Sequence, residues 1–279
     1  MAKMTYLEAQ RWASLFLSDQ QLDESAATYL LQELSGLDQT HLLLHYRKDV
    51  PEALLARYQT AIRQYATGTP PQYIVGTAPF YGRSFKVDEN VLIPRQETEE
   101  LVEWALSILP QTPQRILDVG TGSGAIGLSL KAERPAWQVT LSDLSEGALG
   151  VARQNATALG LDVTFKQGDL LQPVTGQTFD AIISNPPYID PEEASVMDAD
   201  VLASEPRMAL FADHHGLALY EQLAAQLATG VATTHHLFLE YGFQQREALT
   251  ALFEQRFPTA TVTARQDIAG HDRMLHVAM

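Results

Sequence analysis

The sequence predicts an α/β fold in two unequal domains, with a mostly parallel sheet covered by helices after a small all-α domain. Strand-like and helix-like stretches alternate from Arg115 to the end, which is typical of a parallel sheet with helices on both faces. A glycine-rich loop follows the first of these strands. Residues 1–72 carry only short helical patterns, and the total of 279 residues exceeds one typical domain.

The first domain is predicted over residues 1–72 from four short helices, which must pack together to be stable. Thr5 and Glu8 have the spacing of a capping box and start the first helix. Asp23 can cap the second helix, and Pro51 suits the first turn of the fourth. The four helices are predicted over residues 5–17, 26–34, 40–46 and 52–65.

Residues 73–95 are predicted to form a β-hairpin connector, because aromatic and β-branched residues cluster around Gly82 and around 88–90. The sheet domain follows over residues 96–279, beginning with a helix at 97–109 whose acidic first turn suits a helix start. Seven strands are predicted, at 116–119, 138–142, 163–166, 181–184, 236–240, 261–264 and 274–278. Further helices are predicted from 123, at 145–159, at 216–227 and at 244–257. The last two strands have no helix between them, so the last strand is expected to run antiparallel.

The glycine loop reads Asp118-Val-Gly-Thr-Gly-Ser-Gly124 between a buried strand and a helix. Glycine permits unusual dihedral angles and lets a ligand approach the backbone. Gly122, Gly124 and Gly127 satisfy the dinucleotide fingerprint, and Asp143 lies 19 residues beyond Gly124, where a carboxylate can bind ribose hydroxyls. The loop and Asp143 are compatible with three interpretations: a site for S-adenosylmethionine, a site for a nicotinamide or flavin dinucleotide, or a tight turn that binds no ligand.

Asp118 bears on this choice because it comes two residues before the first glycine. A carboxylate there would repel a dinucleotide pyrophosphate but not the amino group and sulfonium of S-adenosylmethionine. The loop therefore favours S-adenosylmethionine. Alternatively, Asp118 is a structural hydrogen-bond acceptor within the strand.

Asn185-Pro-Pro-Tyr188 ends the fourth strand of the sheet domain. Two prolines cannot continue a strand ladder, so the turn holds a polar amide at the carboxyl end of a strand, where open α/β sheets bind ligands. The first and fourth strands of a doubly wound sheet are neighbours, which places this turn beside the glycine loop. A rigid turn without function is the alternative.

The chemistry of this turn suits a planar –NH2 group. Asn185 can accept one of its two N–H groups with its side-chain oxygen, and a backbone carbonyl of Pro186-Pro187 can accept the other. The two contacts orient the nitrogen toward a methyl donor and stabilise the charge that develops. Tyr188 can lie against the flat face of the target group.

Composition and charge exclude several classes of function. Without cysteine there are no disulfides, catalytic thiolates or cysteine metal sites, and the paired histidines 214–215 and 235–236 lack metal-ligand spacing, so no metal is expected. The formal charge is -15, and the stretch 190–200 is acidic. Nucleic acid is therefore a poor partner and a basic protein a better one, although a merely solvated surface explains the charge as well. With no signal peptide or membrane span, a soluble cytoplasmic protein is expected. It is also expected to be a monomer.

The motifs resemble those of class I methyltransferases that act on planar nitrogens, and more closely those of the release factor glutamine methyltransferases, the HemK/PrmC family. The similarity covers residues 70–279 strongly and the helical domain only by pattern. The motifs that carry it, besides the glycine loop and Asn185–Tyr188, are Phe80-Tyr-Gly82, Val91-Leu-Ile-Pro-Arg95, Glu97-Thr-Glu99, Ser204-Glu-Pro206, Ala209-Leu210 and Asp267 with Gly270-His-Asp-Arg273.

The resemblance implies a Rossmann-like, seven-stranded methyltransferase sheet. It also implies methyl transfer from S-adenosylmethionine to the glutamine amide in the Gly-Gly-Gln motif of peptide chain release factors, which the helical domain would help to recognise. The cofactor-binding residues would be Asp118, Gly120, Thr121, Gly122, Ser123, Gly124, Asp143, Leu170 and Asn185. The residues for the glutamine and its methylation would be Asn185, Pro186, Pro187 and Tyr188, with Arg95 also binding the substrate.

Two residues depart from the family pattern. Gln96 stands where the family often has proline, and Leu170 replaces a tryptophan, which favours apolar packing over stacking on adenine. The alternatives are an amino-group methyltransferase on DNA or RNA, a dinucleotide-dependent oxidoreductase, and a non-catalytic cofactor-binding module. The first of these predicts a basic recognition domain, whereas residues 1–72 have a net charge of -2.

Overall fold

The computed structural model describes residues 3–196 and 204–279, which form two compact units. One unit contains residues 3–77 with Ser204, and the other contains residues 78–196 and 205–279. Asp198 and Asp200, part of the acidic stretch noted in the sequence, lie outside the described residues. In the described ranges, no helix combines the length and the apolar character needed to cross a membrane.

The helical unit forms around its own apolar core. The capping box is present, because the Glu8 N–H donates to Thr5 Oγ1 and the Thr5 N–H donates to Glu8 Oε2. The buried Tyr58 hydroxyl donates to the Ala27 carbonyl at 2.9 Å and ties the second helix to the fourth. The helices are α1 Tyr6–Ser18, α2 Ser25–Ser35, α3 Gln39–His45, α4 Glu52–Ala66 and α5 Pro71–Val75. The first four were predicted, with ends that differ by one residue at most.

A two-stranded hairpin follows, formed by β1 Thr77–Phe80 and β2 Arg83–Lys86. Tyr81 and Gly82 have φ angles of 47° and 71°, which suits a two-residue hairpin turn. The segment 91–93, which the sequence assigned to the hairpin, is not a strand. Its apolar side chains are buried by packing instead, since a turn precedes it and Pro94 follows without an N–H for a ladder.

The sheet has seven strands in the order β5-β4-β3-β6-β7-β9-β8. The predicted neighbours, the first and fourth strands of the domain, are β3 and β6, which pair in parallel from Ile116 and Ala181 onward. The final strand β9 inserts between β7 and β8 and is antiparallel to both, as expected of the last strand. The strands are β3 Arg115–Val119, β4 Gln138–Asp143, β5 Thr164–Gln167, β6 Thr178–Ser184, β7 Thr233–Glu240, β8 Thr261–Gln266 and β9 Asp272–Ala278.

Helices cover both faces of this sheet. Along β3, Ile116 faces one apolar core with Trp104 of the first covering helix, and Leu117 faces the other with Tyr220. The helices are α6 Gln96–Ile108, α7 Ala125–Glu133, α8 Glu146–Leu159, α9 Arg207–Leu210, α10 Ala218–Ala228 and α11 Arg246–Arg256. Burial on both faces explains the continuous apolar runs of the central strands and confirms the predicted α/β class.

Candidate active site

A cavity of about 420 Å³ opens at the carboxyl ends of the central strands. Its size is typical of a small-molecule site, and its position is where open α/β sheets bind ligands. The glycine loop after β3 and the Asn185 turn after β6 both line it, because β3 and β6 are adjacent. The predicted site residues that line it are Arg95, Gly120, Thr121, Gly122, Ser123, Asp143, Leu170, Asn185, Pro186 and Pro187.

The glycine loop needs glycine at two positions, because a side chain there would clash with its neighbours or strain the backbone. Gly124 has a φ of 84°, and a side chain there would also meet Leu128 at 2.8 Å. Gly127 packs so closely on β4 that a Cβ atom would lie 2.1 Å from the Leu141 side chain. The loop therefore brings its backbone to the cavity, and the helix α7 begins directly behind it.

Asp143 holds the loop from the neighbouring strand. Its Oδ2 accepts a hydrogen bond from the Gly122 N–H at 2.9 Å, and its Oδ1 accepts one from the Ser145 N–H at 2.8 Å. Burial raises the pKa of Asp143, and these backbone donors counteract that shift. Because each carboxylate oxygen can accept more than one hydrogen bond, Asp143 can still bind hydroxyl groups from the cavity.

Asp118 lies under the loop and does not line the cavity. Its Oδ2 accepts from the Thr121 hydroxyl at 2.5 Å and from the Gly127 N–H at 2.9 Å. No group of the described residues donates to its Oδ1. Complete burial raises the pKa of Asp118 to about 7. These contacts match the structural-acceptor alternative better than direct contact with a positive group.

Asn185 presents its amide at the mouth of β6. Its Nδ2 donates to the Thr98 hydroxyl at 3.2 Å, and no donor from the described residues reaches its Oδ1. The backbone on either side is fixed, because Ser184 Oγ donates to the Val119 carbonyl and the Ile189 N–H donates to the Leu210 carbonyl. The turn thus keeps one strong acceptor available on the cavity side of the sheet.

Tyr188 does not line the cavity, although the sequence predicted it at the site. Its ring is partly buried against one apolar core, and its hydroxyl donates to Glu240 Oε1 at 3.4 Å. The Tyr188 carbonyl accepts from Gln245 Nε2 at 2.8 Å. Gly216 allows this packing, since a Cβ there would lie 1.9 Å from that carbonyl oxygen. The turn is therefore held from outside by residues that follow it in sequence.

Arg95 and Leu170 both line the cavity. Arg95 forms an ion pair with the buried carboxylate of Glu205 at 2.7 Å. Leu170 has a φ of 45°, a left-handed conformation that is unusual for leucine and costs about 1 kcal/mol. Gln96 begins α6 directly after Arg95, so the departure from proline leaves the helix start in place.

Comparisons with known proteins identify the family. The model of the methyltransferase small domain matches residues 100–213, and the model of the PrmC N-terminal domain matches residues 8–76. The chain is 46% identical to release factor glutamine methyltransferase from Enterococcus faecalis, over 98% of this chain and 99% of that protein. The chain belongs to the release factor glutamine methyltransferase family. The protein of that name from Lactococcus lactis is 41% identical, over 98% of this chain and 100% of its own.

Solved structures with much lower identity share the fold. A methyltransferase from Pyrococcus furiosus aligns with a TM-score of 0.52 at 16% identity, over 80% of this chain and 98% of its own. The hMettl16 catalytic domain aligns with a TM-score of 0.56 at 14% identity, over 81% of this chain and 82% of its own. The predicted family resemblance is thus confirmed by sequence, and the fold class by structure.

The residues around the cavity fit S-adenosylmethionine, the methyl donor of this family. The backbone of residues 120–123 reaches the cavity, and Asp143 offers carboxylate oxygens at the end of β4. Leu170 and Ile126 supply apolar surface on which a flat base can pack. Among the described residues that line the cavity, Arg95 is the only basic side chain, and it is paired with Glu205. The cavity therefore offers no unpaired lysine or arginine for the phosphates of a dinucleotide.

Sequence reasoning missed two residues of the site, Thr98 and Glu240. Thr98 stands in the segment Glu97-Thr-Glu99, and Glu240 ends the apolar strand β7, so both had a visible signal. A strand-end carboxylate at the edge of the sheet where other polar residues gather is such a signal. Thr98 contacts Asn185, 87 residues away, and Glu240 contacts Tyr188, 52 residues away, so no local pattern reveals either contact.

Three of the four histidines considered as metal ligands have other partners. His214 Nδ1 lies 2.8 Å from a Glu221 oxygen, and His215 Nδ1 lies 2.7 Å from an Asp190 oxygen. His236 Nδ1 lies 3.0 Å from His276 Nε2. Within residues 3–196 and 204–279, no three potential ligands come together in a way that could hold a metal ion.

Proposed function

We propose that this chain methylates the side-chain amide nitrogen of the glutamine in the Gly-Gly-Gln motif of peptide chain release factors, using S-adenosylmethionine. The observation that supports it most is the Asn185 amide at the cavity, with its Nδ2 engaged by Thr98 and its Oδ1 available. The relatives that cover nearly the whole chain carry the name of this activity.

The substrate nitrogen is a poor nucleophile, because its lone pair is delocalised into the amide. Asn185 Oδ1 accepts one N–H of the glutamine amide, and a carbonyl of Pro186 or Pro187 accepts the other. These two acceptors fix the plane of the amide and draw on its protons as positive charge develops on nitrogen. Tyr188 does not line the cavity, and we propose that its ring contacts the flat face of the target group only once the substrate is bound.

When bound, S-adenosylmethionine supplies an activated methyl group on a sulfonium. We assign its methionine end to the loop residues 120–124, its ribose to Asp143 and its adenine to Leu170. Asp118 supports the loop through Thr121 and Gly127 and does not itself contact the cofactor. Arg95 is placed by Glu205 at the cavity rim, where it can bind substrate.

The helical domain, proposed over residues 1–72, helps to recognise the release factor, and residues 73–95 connect it to the catalytic domain over 96–279. The acidic balance of the chain, -15 overall, favours a basic protein surface and disfavours stable binding of nucleic acid. The protein is proposed to act as a cytoplasmic monomer.

The direct test is transfer of labelled methyl from S-adenosylmethionine to purified release factor. Three substrates are compared: the intact factor, the same factor with the Gly-Gly-Gln glutamine replaced, and nucleic acid. Labelling of the intact factor alone is expected. Labelling of nucleic acid alone would overturn the proposal, and equal labelling of both factors would move the target to another residue.

A further inference from the structure

We infer that Gln245 is a positioning residue for methyl transfer: its side-chain amide fixes the peptide unit that follows Tyr188 and so holds the Asn185 turn in place. This inference rests on the proposed function, because the Asn185 turn is the part of the site that binds the substrate glutamine. Gln245 does not line the cavity, and the proposed mechanism gives it no role in turnover.

The prolines of the Asn185 turn cannot fix its position with hydrogen bonds of their own. Pro186 and Pro187 have no N–H to donate, and their rings restrict φ, so they form a stiff link between the two ends of the turn. The first end is held by the sheet, since Ser184 pairs with Val119 of β3 and its Oγ donates to the Val119 carbonyl. The position of the two proline carbonyls therefore depends on what holds the second end.

The second end is the peptide unit between Tyr188 and Ile189. Its carbonyl accepts from Gln245 Nε2 at 2.8 Å, and its N–H donates to the Leu210 carbonyl at 3.0 Å. Both polar groups of this one peptide unit are thus engaged by partners from other loops, which fixes the plane of the peptide. Displacement of this peptide unit would shift the chain at Pro187, and with it the carbonyls that face the substrate amide.

Gln245 joins three loops through its one amide group. Its Nε2 donates to the Tyr188 carbonyl after β6 and to the His215 carbonyl before α10, at 2.8 and 3.0 Å. Its Oε1 accepts from the Gly242 N–H after β7 at 3.0 Å. These partners define the orientation of the amide, because the reverse orientation would place its oxygen against two carbonyl oxygens. A carboxylate at this position would keep the acceptor for Gly242 and lose both donors.

Gly216 packs directly against the contact between Gln245 and Tyr188. A Cβ atom at Gly216 would lie 1.9 Å from the Tyr188 carbonyl oxygen and 2.5 Å from Gln245 Nε2. Non-bonded atoms do not approach this closely, so a side chain at position 216 would displace the carbonyl or the amide. The glycine therefore permits the hydrogen bond, and substituting it is an independent way to disturb the same peptide unit.

The test uses the full chain with release factor as substrate. Gln245→Met removes the donors and the acceptor at similar volume, whereas Gln245→Glu turns an oxygen toward the two carbonyls. We expect kcat to fall by about tenfold or more in the methionine variant and at least as far in the glutamate variant. S-adenosylmethionine affinity, measured by calorimetry, is expected to stay within about threefold. Gln244→Met, at the exposed neighbouring residue, is the matched control. A kcat within about twofold of that of the unchanged protein in both variants would overturn the inference.

A second pair of variants protects the test against a general loss of structure at position 245. Gly216→Ala places a methyl group against the Tyr188 carbonyl, and Gly230→Ala is its control. The φ angles of the two glycines are similar, 79° and 75°, but a Cβ atom at Gly230 would meet no atom within 4 Å. Both variants therefore carry similar backbone strain, and chemical denaturation measures its effect on the free energy of unfolding. We expect kcat to fall by about tenfold or more for Gly216→Ala only. Equal kcat for the two variants would refute the inference.

An Asn185→Ala background separates this inference from the proposed function. If Gln245 acts through the Asn185 turn, Gln245→Met is expected to lower kcat by less than about threefold once the Asn185 amide is gone. A loss in that background as large as in the unchanged protein would show a route that bypasses Asn185 and refute the inference. If Asn185→Ala alone leaves kcat unchanged, the proposed function of the turn fails. A large loss for Asn185→Ala with none for Gln245→Met refutes only the role of Gln245.

Discussion

The two loops that meet at the cavity are built in opposite ways. The glycine loop after β3 is held through its backbone N–H groups by acids of the two adjoining strands: Gly122 donates to Asp143 of β4, and Gly127 donates to Asp118 of β3. The Asn185 turn after β6 is held from outside, by Thr98, by Gln245 and by the backbone at Leu210. The first loop offers its backbone and space, whereas the second keeps a side-chain acceptor unpaired.

Because of this difference, we expect substitutions in the two loops to affect cofactor binding and methyl transfer separately. A loop whose N–H groups are already paired with protein acceptors is a rigid surface on which a cofactor can rest, so substitutions that disturb it are expected to lower cofactor affinity. A turn whose unpaired acceptor binds the substrate nitrogen acts only when that nitrogen is present. Substitutions in the turn are therefore expected to lower turnover. Variants of the two loops test whether binding and turnover can be separated in this way.

The largest effect is expected from Asn185→Ala. It removes the side-chain acceptor for the substrate amide, and kcat is expected to fall on the order of 10²–10³-fold. S-adenosylmethionine affinity is expected to change by less than about fivefold. Steady-state kinetics with release factor and calorimetry with the cofactor give the two numbers. Gln111→Ala, at an exposed residue outside the cavity lining, is the control. Equal losses in both numbers would mean that Asn185 mainly builds the cofactor site.

Asp143→Ala is expected to have a smaller effect, and to lower cofactor affinity instead of turnover. The change leaves the Gly122 and Ser145 N–H groups without their acceptor and removes the proposed ribose contact. Cofactor affinity is expected to fall by about tenfold to a hundredfold, and stability by about 1–3 kcal/mol. Turnover at saturating cofactor is expected to fall much less. Asp162→Ala, an exposed acid on the same domain, is the control.

If Asp143→Ala instead lowered turnover at saturation as strongly as affinity, the glycine loop would have to take part in orienting the substrate. The separation between the two loops would then be wrong. Chemical denaturation of the same variants distinguishes this from a general loss of structure, because it reports the free energy of unfolding directly.

The same comparison explains what the sequence could and could not predict. Local patterns predict the sheet, the neighbouring positions of β3 and β6, and the glycine loop. These patterns are apolar runs, glycine spacing and an acid at the end of β4. The ends of the predicted strands and helices shift by at most three residues. Each of these features is encoded within about one strand, loop and helix.

The support of the Asn185 turn could not be read in this way. Thr98 lies 87 residues before Asn185, and the Tyr188 carbonyl meets Gln245 57 residues later. Sequence patterns identify strand ends but not which helix passes over them. Tyr188 was expected to face the target group, but packing around the turn directs its hydroxyl to Glu240. This contact is also between residues far apart in sequence.

A modest effect is expected at Leu170, the residue proposed to pack on adenine. Leu170→Ala and Leu170→Gly both remove the side chain, so both are expected to weaken cofactor binding by about threefold to tenfold. They differ in the backbone, because φ at this position is 45° and glycine adopts that conformation without penalty. The glycine variant is therefore expected to be at least as stable as the alanine variant, by up to about 1 kcal/mol.

Calorimetry and thermal unfolding measure the two properties independently. A lower stability for Leu170→Gly than for Leu170→Ala would contradict a left-handed conformation at this position. Unchanged cofactor affinity in both variants would contradict the assignment of adenine to Leu170 and would leave the rest of the glycine loop unaffected.

The smallest functional effect is expected from Asp118→Asn, which decides between the two roles considered for Asp118. Burial raises the pKa of this carboxyl group from a usual 3.8 to about 7. Between these values the unfolded chain releases a proton that the folded chain retains, so folding is progressively disfavoured as the pH rises toward 7. Asparagine stays neutral, and its single side-chain oxygen can still accept from both Thr121 and Gly127.

The Tm of Asp118→Asn relative to the unchanged protein is therefore expected to rise by a few degrees between pH 5 and pH 7.5. Cofactor affinity is expected to change by less than about threefold, because Asp118 does not line the cavity. A loss of affinity of tenfold or more, with no relative gain in Tm, would show that an ionised Asp118 acts on the cofactor's positive groups. The glycine loop would then bind by charge as well as by shape, and its contrast with the Asn185 turn would be weaker.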